Sequence, residues 1–498
     1  MKRFDKALLE EQEENISLVE GFKATFLKAV KAFPFYLNGD KLYLLLPSEE
    51  NIFVADLLEK QVGKPAEVFL ADEDLIFELI QKFYELPPER EFESEAEEEV
   101  SEDLKLLKDL ASEAPVVRLV NRVIREAVEM RATDIHFETL RDGLRVRYRI
   151  DGLLHEIATH PKKLAAPVIS RLKLMANLNI AEHRLPQDGR IRFRVGGEDF
   201  DIRVSTIPTV HGEGVVLRLL VRQKNLLSLE NLGLEDDHYR LFLDLIKHPN
   251  GIILVTGPTG SGKTTTLYAA LSVLNQPDKK IITIEDPVEY QLPGISQIQV
   301  KPDIGLTFAT ALRSILRHDP DIILVGEIRD LETAEIAIQA ALTGHLVFST
   351  LHTRDALGAA VRLSDMGVEP YLIAASTVGF VAQRLVRVLC PHCAEATVPP
   401  LEFLTAVENL NLNLSHIVYR RPKGCPKCAG TGFYGRTAIY EIYPMDSELR
   451  RLILHSGTEE QLKGWAKERG FVSLFQDGLR KVAKGITSFE EVLRVTSR

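Results

Sequence analysis

The stretch that most restricts the possible folds of this chain is GPTGSGKT, at residues 257–264. It fits the pattern G-x-x-x-x-G-K-[ST], follows an apolar run from Ile252 to Val255 and precedes a helical run from Thr264 to Leu274. A strand, a glycine-rich loop and a helix in this order form a phosphate-binding loop, whose backbone N–H groups converge on phosphate oxygens. The pattern therefore predicts a nucleotide site; a glycine-rich turn without a ligand is the alternative.

Lys263 and Thr264 have distinct tasks in such a loop. The lysine ammonium is expected to reach the β- and γ-phosphates of ATP, and the threonine hydroxyl is expected to bind Mg²⁺. We expect nucleotide contacts from the loop and the residue after it, which are Gly257, Pro258, Thr259, Gly260, Ser261, Gly262, Lys263, Thr264 and Thr265.

Between residues 232 and 390, short β-branched runs alternate with helical runs. The strand-like runs read GIILVTG, KIITIED, DIILVGE and HLVFSTL. This rhythm predicts a parallel sheet with helices on both faces. Ligands of such sheets lie beyond the carboxyl ends of the strands, where acidic residues follow two of these runs. They are Glu285, Asp286 and Glu289 after one strand and Glu327 after the next.

ATP hydrolysis needs a carboxylate that orients water, so these acids are candidates for that role. Helix capping and plain surface exposure are the alternatives. His345 and His352 flank a fourth strand. His352 follows the strand and is a candidate for contact with the phosphates, whereas His345 precedes it and is expected to be structural.

All four cysteines of the chain lie in two C-x-x-C pairs, CPHC and CPKC. Two such pairs at this spacing predict a tetrahedral structural zinc site at Cys390, Cys393, Cys425 and Cys428. A redox pair is the alternative, and His392 is a possible substitute ligand.

The rest of the chain gives coarser information. With 498 residues, 45% of them hydrophobic and 27% charged, the protein is expected to be globular with several domains. We find no apolar run long enough for a membrane span and no signal peptide, so we expect a cytosolic protein that meets membranes through partners. The net charge of −11 is concentrated in an acidic stretch near residues 89–103, and no strongly basic face predicts nucleic-acid binding.

The motifs occur here in one order: the phosphate loop, TIEDPVEY, DIILVGEIRDLETAEIA, TGHLVFSTLHT and the two cysteine pairs. Together they resemble the secretion-ATPase superfamily, and more closely the type II secretion ATPases of the GspE kind. RLPQDGRI, AQRLVRVLCPHC and GITSFEEVLRVT strengthen the resemblance, which covers about residues 116–498.

The resemblance implies an α/β multidomain protein with a PAS-like domain, a RecA-like P-loop motor, a small zinc subdomain and a helical C-terminus. The expected segments are a docking module (1–85), an acidic linker (86–115), the PAS-like domain (116–225), the motor (226–389), the tetracysteine subdomain (390–440) and the helical subdomain (441–498). After the cysteines we expect three helical patterns.

The resemblance also implies a function. The chain would form a homo-hexamer at the cytoplasmic face of the inner membrane, dock on a secretion-platform protein through residues 1–85, and hydrolyse ATP with Mg²⁺ to drive pseudopilus growth. It would contain Zn²⁺ and would not bind nucleic acid. The alternatives are a type IV pilus extension ATPase, a nucleic-acid translocase, and a scaffold that binds ATP without turnover.

Finally, the resemblance implies residue roles. Glu289 would be the catalytic carboxylate and Glu327 the Walker B acid that holds magnesium or its water, although the two could share these tasks. His345 and His352 match the family's His-box. Arginines implied to act on nucleotide or at a subunit interface are Arg203, Arg218, Arg313, Arg317, Arg329 and Arg362. The chain departs from the family in having Gly214 where an arginine is usual and in its short N-terminal module.

Overall fold

The computed structural model describes residues 2–3, 16–19, 26–27, 30–37, 41–52, 54–55, 58, 65–80, 114–195, 198–220, 228–410, 417–455 and 457–497. The chain divides into two compact units, Met1–Glu99 and Val100–Arg498. The expected acidic linker lies outside the described residues, apart from its last two positions.

The first unit contains a five-stranded mixed sheet, in the order β1-β5-β4-β3-β2. Its strands are Lys2–Arg3 (β1), Ile16–Leu18 (β2), Phe33–Leu37 (β3), Lys41–Leu46 (β4) and Ala66–Leu70 (β5). The unit also contains the helix Glu73–Leu79 (α1). Alternate residues of β4 enter two different cores, since Leu45 packs with Phe33 and Ile76 whereas Leu44 packs with Val54.

The second unit begins with a six-stranded antiparallel sheet, in the order β8-β7-β6-β11-β10-β9. Its elements are Ala114–Glu129 (α2), Ala132–Thr139 (β6), Gly143–Ile150 (β7), Leu153–Pro161 (β8), Ala165–Met175 (α3), Gln187–Val195 (β9), Glu198–Thr209 (β10) and Gly212–Leu220 (β11). The period-two pattern of β7 sends Val146 and Tyr148 into a core with α2 and α3, while Arg145 and Arg147 on the other face pair with Glu138.

A seven-stranded sheet follows, in the order β14-β13-β15-β16-β12-β17-β20. Its strands are Gly251–Thr256 (β12), Ile281–Glu285 (β13), Ser296–Gln299 (β14), Ile322–Val325 (β15), Leu346–Leu351 (β16), Thr377–Leu389 (β17) and Phe433–Pro444 (β20). Neighbouring strands are parallel except at the β17–β20 edge.

The helices of this region are Asp236–Ile246 (α4), Lys263–Leu274 (α5), Phe308–Ile315 (α6), Leu331–Leu342 (α7), Gly358–Asp365 (α8) and Pro370–Ser376 (α9). They cover both faces, because Ile252 and Leu254 of β12 pack in one core whereas Ile253 and Val255 pack in another. The predicted parallel sheet with helices on both faces is therefore confirmed, with one antiparallel edge strand that the sequence did not predict.

Between β17 and β20 lie the short strands Glu395–Ala396 (β18) and Arg420–Arg421 (β19) and the helix Leu401–Asn409 (α10). After β20 the described residues form four helices, not the expected three: Ser447–Leu454 (α11), Glu459–Glu468 (α12), Leu474–Ala483 (α13) and Phe489–Thr496 (α14). Each has a capping Asp, Ser or Thr, and these helices are short enough for their apolar patterns to run together in the sequence. None of the helices in the described part of the chain could cross a membrane.

Candidate nucleotide and metal sites

The predicted phosphate loop is built from glycines with positive φ angles. After β12, the chain turns at Gly257, Gly260 and Gly262, whose φ angles are +147°, +78° and +88°. A side chain on Gly262 would place its Cβ 2.7 Å from Gln383 Nε2, whereas no atom lies within 4 Å of the corresponding position at Gly260. Gly262 is thus fixed by both its conformation and its neighbour, and it directly precedes the first turn of α5.

Lys263 is buried and curls back over this loop. Its Nζ donates to the carbonyl oxygens of Gly257, at 2.7 Å, and Pro258, at 3.2 Å. Burial lowers the pKa of Lys263 to about 8, although the charge of Glu327 acts in the opposite direction. Ser261 Oγ is buried with no hydrogen-bond partner among the described residues, and Thr264 is exposed at the start of α5. These donors fit phosphate oxygens at a helix N-terminus, with the Thr264 hydroxyl accessible to a magnesium ion.

Gln383 and Tyr440 support the loop from the β17–β20 pair. Thr266 Oγ1 donates to Gln383 Oε1 at 2.8 Å and lies 3.2 Å from the Tyr440 hydroxyl. Arg384 is also buried here, and its Nη1 donates to the Gln383 carbonyl oxygen at 3.1 Å. We did not single out these residues from the sequence; the signal was a Gln-Arg pair in the middle of a largely apolar strand.

Glu327 lies beside the loop at the carboxyl end of β15. It is largely buried, and its Oε1 lies 2.5 Å from Arg329 Nη2 while its Oε2 lies 3.6 Å from His352 Nε2. Burial lowers the pKa of His352, and the nearby Lys263 charge lowers it further. Since β15, β16 and β12 are adjacent and parallel, their ends bring Glu327, His352 and Lys263 to one edge of the sheet.

The three acids at the end of β13 and just after it have different surroundings. Glu285 is buried in a network in which Tyr268 donates to Oε2, and Thr283 (2.5 Å) and Gln297 (3.0 Å) donate to Oε1. Asp286 is exposed. Glu289 instead faces Arg203 of β10.

Arg203 holds the segment that contains Glu289. Its Nη1 lies 3.3 Å from Glu289 Oε2, and its Nη2 donates to the Val288 carbonyl oxygen at 2.9 Å. Glu285 is therefore committed to internal hydrogen bonds, whereas Glu289 is held by one cation from the antiparallel sheet and remains partly exposed.

The structure does not bring every predicted residue to the loop. Arg218 pairs with Asp134 in its own sheet, at 2.9 Å. On α6, Arg313 pairs with Glu332 at 2.5 Å, and Arg317 donates to the Arg313 carbonyl oxygen. Arg362 is exposed near the end of α8.

His345 lies before β16, and its Nδ1 is 2.9 Å from the carbonyl oxygen of Ala340, to which it donates. This contact agrees with a structural role. Asp321, at the opposite end of β15 from Glu327, accepts a hydrogen bond from the Lys280 amide at 2.7 Å.

The four cysteine sulfurs form a compact cluster within 4.8 Å of one another. Measured Sγ–Sγ distances are 3.9 Å for Cys390–Cys425, 3.8 Å for Cys393–Cys428 and 3.7 Å for Cys425–Cys428. Four thiolates bound tetrahedrally at about 2.3 Å from zinc would lie about 3.8 Å apart, so the cluster fits this ion.

Backbone amides favour the thiolate form of one ligand. The N–H groups of Cys425 and Gly432 donate to Cys428 Sγ at 3.1 and 3.2 Å. Burial alone would raise the pKa of Cys428, but these hydrogen bonds, together with those from the Cys425 and Cys393 side chains, lower it to about 6. The thiolate is the form that binds zinc.

Comparisons with known families match two parts of the chain. The family described as "Type II/IV secretion system protein" matches residues 109–494, and the MshEN domain matches residues 4–90.

Two curated relatives and one solved structure are similar over long stretches. The type II secretion system protein E of Xanthomonas campestris pv. campestris is 47% identical over 97% of this chain and 86% of its own length. The type IV pilus assembly ATPase PilB of Thermus thermophilus is 46% identical over 93% of this chain but 53% of its own length. The crystal structure of the pilus retraction motor PilT with bound ADP is 27% identical, with a TM-score of 0.51, over 76% of this chain and 97% of that one. These similarities confirm the fold predicted from the sequence motifs.

Proposed function

The chain belongs to the type II/IV secretion system protein family and is an ATPase of protein secretion, and we propose that it works as a hexameric motor powering type II secretion. One observation supports the catalytic part of this proposal more than any other. Lys263, Glu327 and His352 meet at one edge of one parallel sheet, directly beside the phosphate loop. A triphosphate and a magnesium ion need this combination of a cation, a carboxylate and converging N–H groups.

In the proposed mechanism the loop amides and Lys263 would bind the β- and γ-phosphates of ATP, and Thr264 and Glu327 would hold Mg²⁺. Bound magnesium would neutralise charge on the phosphate oxygens. Glu289 orients the attacking water and accepts its proton, and Arg203 keeps that carboxylate in place. Arg329 and His352 fix the position of the Glu327 carboxylate.

The roles of Glu327 and Lys263 are tested with Glu327→Gln and Lys263→Ala. We expect Glu327→Gln to lower kcat about a hundredfold or more while ATP still binds, since the amide keeps the shape but loses the charge. Lys263→Ala should weaken ATP binding itself. Equal turnover of Glu327→Gln and the wild type would contradict the motor assignment, and unchanged ATP affinity of Lys263→Ala would contradict the phosphate-loop assignment.

We assign the remaining segments by the same proposal. Residues 1–85 dock on an inner-membrane platform protein, so the chain is peripheral to that membrane, and residues 86–115 link this module to the PAS-like domain (116–225). Residues 226–389 are the motor, 390–440 bind zinc, and 441–498 form the helical subdomain. Arg218, Arg313 and Arg317 serve the subunit interface.

Type IV pilus extension is the second candidate, favoured by the 46% identity to the PilB ATPase over almost the whole chain. The two functions differ in the platform protein that the motor binds. The full chain would be mixed with the cytoplasmic domains of a type II secretion platform and of a pilus platform. Binding to the secretion platform alone supports the proposal, whereas binding to the pilus platform alone favours the second candidate.

A further inference from the structure

Among the described residues, polar and cation–aromatic contacts join the antiparallel sheet domain (residues 114–220) to the rest of its unit in two groups. The first is Arg203 with Val288 and Glu289, at the catalytic edge. The second lies at Arg131 and Asp151, which meet Tyr434 and Gly435 at the start of β20. We refer to these last four residues as the clasp.

The Arg131 side of the clasp is a cation on an aromatic ring. The Arg131 guanidinium carbon lies 3.4 Å from the centre of the Tyr434 ring, which is 40% exposed. Contacts of this kind are attractive because the ring face is electron-rich. On the preceding residue of β20, Phe433 receives the Arg387 guanidinium from β17 at 3.9 Å. On β20, Phe433 therefore contacts the neighbouring strand β17, and Tyr434 contacts the antiparallel sheet domain.

The Asp151 side of the clasp is a buried carboxylate at a hairpin tip. Asp151 and Gly152 form the two-residue turn between β7 and β8, with φ angles of +48° and +88°. Residues at such tips are usually exposed, yet Asp151 is only 8% exposed. Its Oδ2 accepts a hydrogen bond from the Gly435 amide at 3.1 Å and lies 3.9 Å from Arg131 Nη2. A buried carboxylate needs such partners, and β20 supplies one of them.

The local backbone is shaped for this contact. Arg131 adopts a left-handed conformation, with φ of +57°, two residues after the end of α2. Gly435 has φ of +80°, which favours glycine, and a Cβ there would lie 3.7 Å from Arg131 Nη1. Two separated backbone features thus meet at one contact.

We propose that the clasp positions Arg203 on Glu289. A domain held at Arg203 alone could pivot about that contact, whereas a second anchor fixes its orientation. Arg131, Asp151 and Tyr434 are then positioning residues for ATP hydrolysis, although none of them touches nucleotide. This inference rests on the proposed role of Glu289.

The first test replaces the exposed ring in the full-length protein. Tyr434→Ala is expected to lower kcat about two- to tenfold, the range that one cation–π contact allows, with the KM for ATP little changed because the phosphate loop is untouched. Tyr434→Phe keeps the ring and should restore kcat. Unchanged kcat in Tyr434→Ala, or equal losses in both variants, would overturn the proposal.

The second test asks whether the clasp acts through Arg203. Arg131→Ala alone should lower kcat, but in an Arg203→Ala background it should cause no further loss, because the contact that it positions is already gone. Multiplying losses in the double variant would show that the clasp acts by another route. The turnover of Glu289→Gln is measured in parallel. If this variant hydrolyses ATP at the normal rate, the proposed catalytic role of Glu289 is wrong, whatever the clasp variants show.

Discussion

Glu285 and Glu289 belong to one short segment but have different partners. The Glu285 carboxylate accepts hydrogen bonds from Tyr268, Thr283 and Gln297. A glutamine at this position would place an NH₂ donor opposite groups that also donate. We expect Glu285→Gln to lower the free energy of unfolding by about 1–3 kcal/mol. Glu289→Gln should instead lower kcat about a hundredfold with little change in stability.

Denaturant unfolding and steady-state ATPase assays on the two variants decide this prediction. A strongly destabilised Glu289→Gln protein, or a stable Glu285→Gln protein without activity, would reverse the assignment of the two acids.

The burial of Lys263 predicts a pH dependence of ATP binding. Its pKa of about 8 in the free protein must rise when phosphates bind, since they favour the charged form. Binding above about pH 8 therefore takes up a proton, and ATP affinity falls there by up to about tenfold per pH unit, with no such fall below the pKa.

Calorimetry in buffers of different ionisation enthalpy would measure this proton uptake. The control is Glu327→Gln: because the Glu327 charge raises the Lys263 pKa, its removal should move the onset of the fall to lower pH. An affinity that stays constant between pH 7 and 9 would contradict the assigned pKa.

At the scale of single residues, the sequence predicted features that lie within one run of residues and did not predict contacts between distant parts of the chain. The predicted phosphate loop lies within a single run of residues, so its motif was sufficient to predict it. The distinction between Glu285 and Glu289 depends on Gln297 and Arg203, which come from other strands. Sequence spacing alone does not reveal such partners.

At the scale of elements, the β17–β20 pair unites two sites. Cys390 follows β17 directly, and Cys425 and Cys428 lie shortly before β20, while Gln383 of β17 supports the phosphate loop. The cysteine pairs were predictable because each is local and their separation matches a known pattern. The role of β17 as a support was not, because it arises from pairing with β12 and from the antiparallel return of β20.

The tetracysteine cluster predicts the metal content of the protein. The wild type should bind about one zinc ion per chain, and Cys428→Ser should lose it together with thermal stability. His392→Ala is the matched control, because His392 is exposed between two of the cysteines but is not part of the cluster. Metal analysis of both variants after dialysis would measure their zinc content. Zinc that is lost from His392→Ala but kept by Cys428→Ser would contradict the assignment of Cys428 as a ligand and of His392 as a non-ligand.

At the scale of the whole molecule, Arg203 and Arg218 are expected to act differently. Arg203 reaches Glu289 of its own chain, whereas Arg218 is more than half exposed and contacts Asp134. In the proposed hexamer we expect Arg218 to complete a neighbouring site. A mixture of Arg218→Ala and Glu327→Gln subunits should then regain turnover, at about a quarter of the sites in an equal mixture.

The matched control mixes Arg203→Ala subunits with Glu327→Gln subunits. This mixture should regain no turnover, because each substitution damages the site of the chain that carries it. Activity assays after subunit exchange provide the measurement. Restored turnover in the control mixture, or no restored turnover in the Arg218→Ala mixture, would contradict the assignment of Arg203 to its own site and of Arg218 to a neighbouring site. The family motifs predicted a functional role for both Arg203 and Arg218. Only the contacts of the two side chains indicate that their roles differ.

The order of strands in the seven-stranded sheet also implies a gradient of local stability. β12 is an interior strand and is fully buried, whereas β14 is an edge strand with one exposed and three half-buried residues. Amide hydrogens should exchange most slowly at the centre and faster towards the edge. The predicted phosphate loop thus follows a fully buried interior strand, while Glu289, between β13 and β14, lies nearer to the exposed edge of the sheet. In the proposed mechanism, the well-protected interior strand would hold nucleotide while the segment with Glu289 opens and closes at the edge without disturbing it.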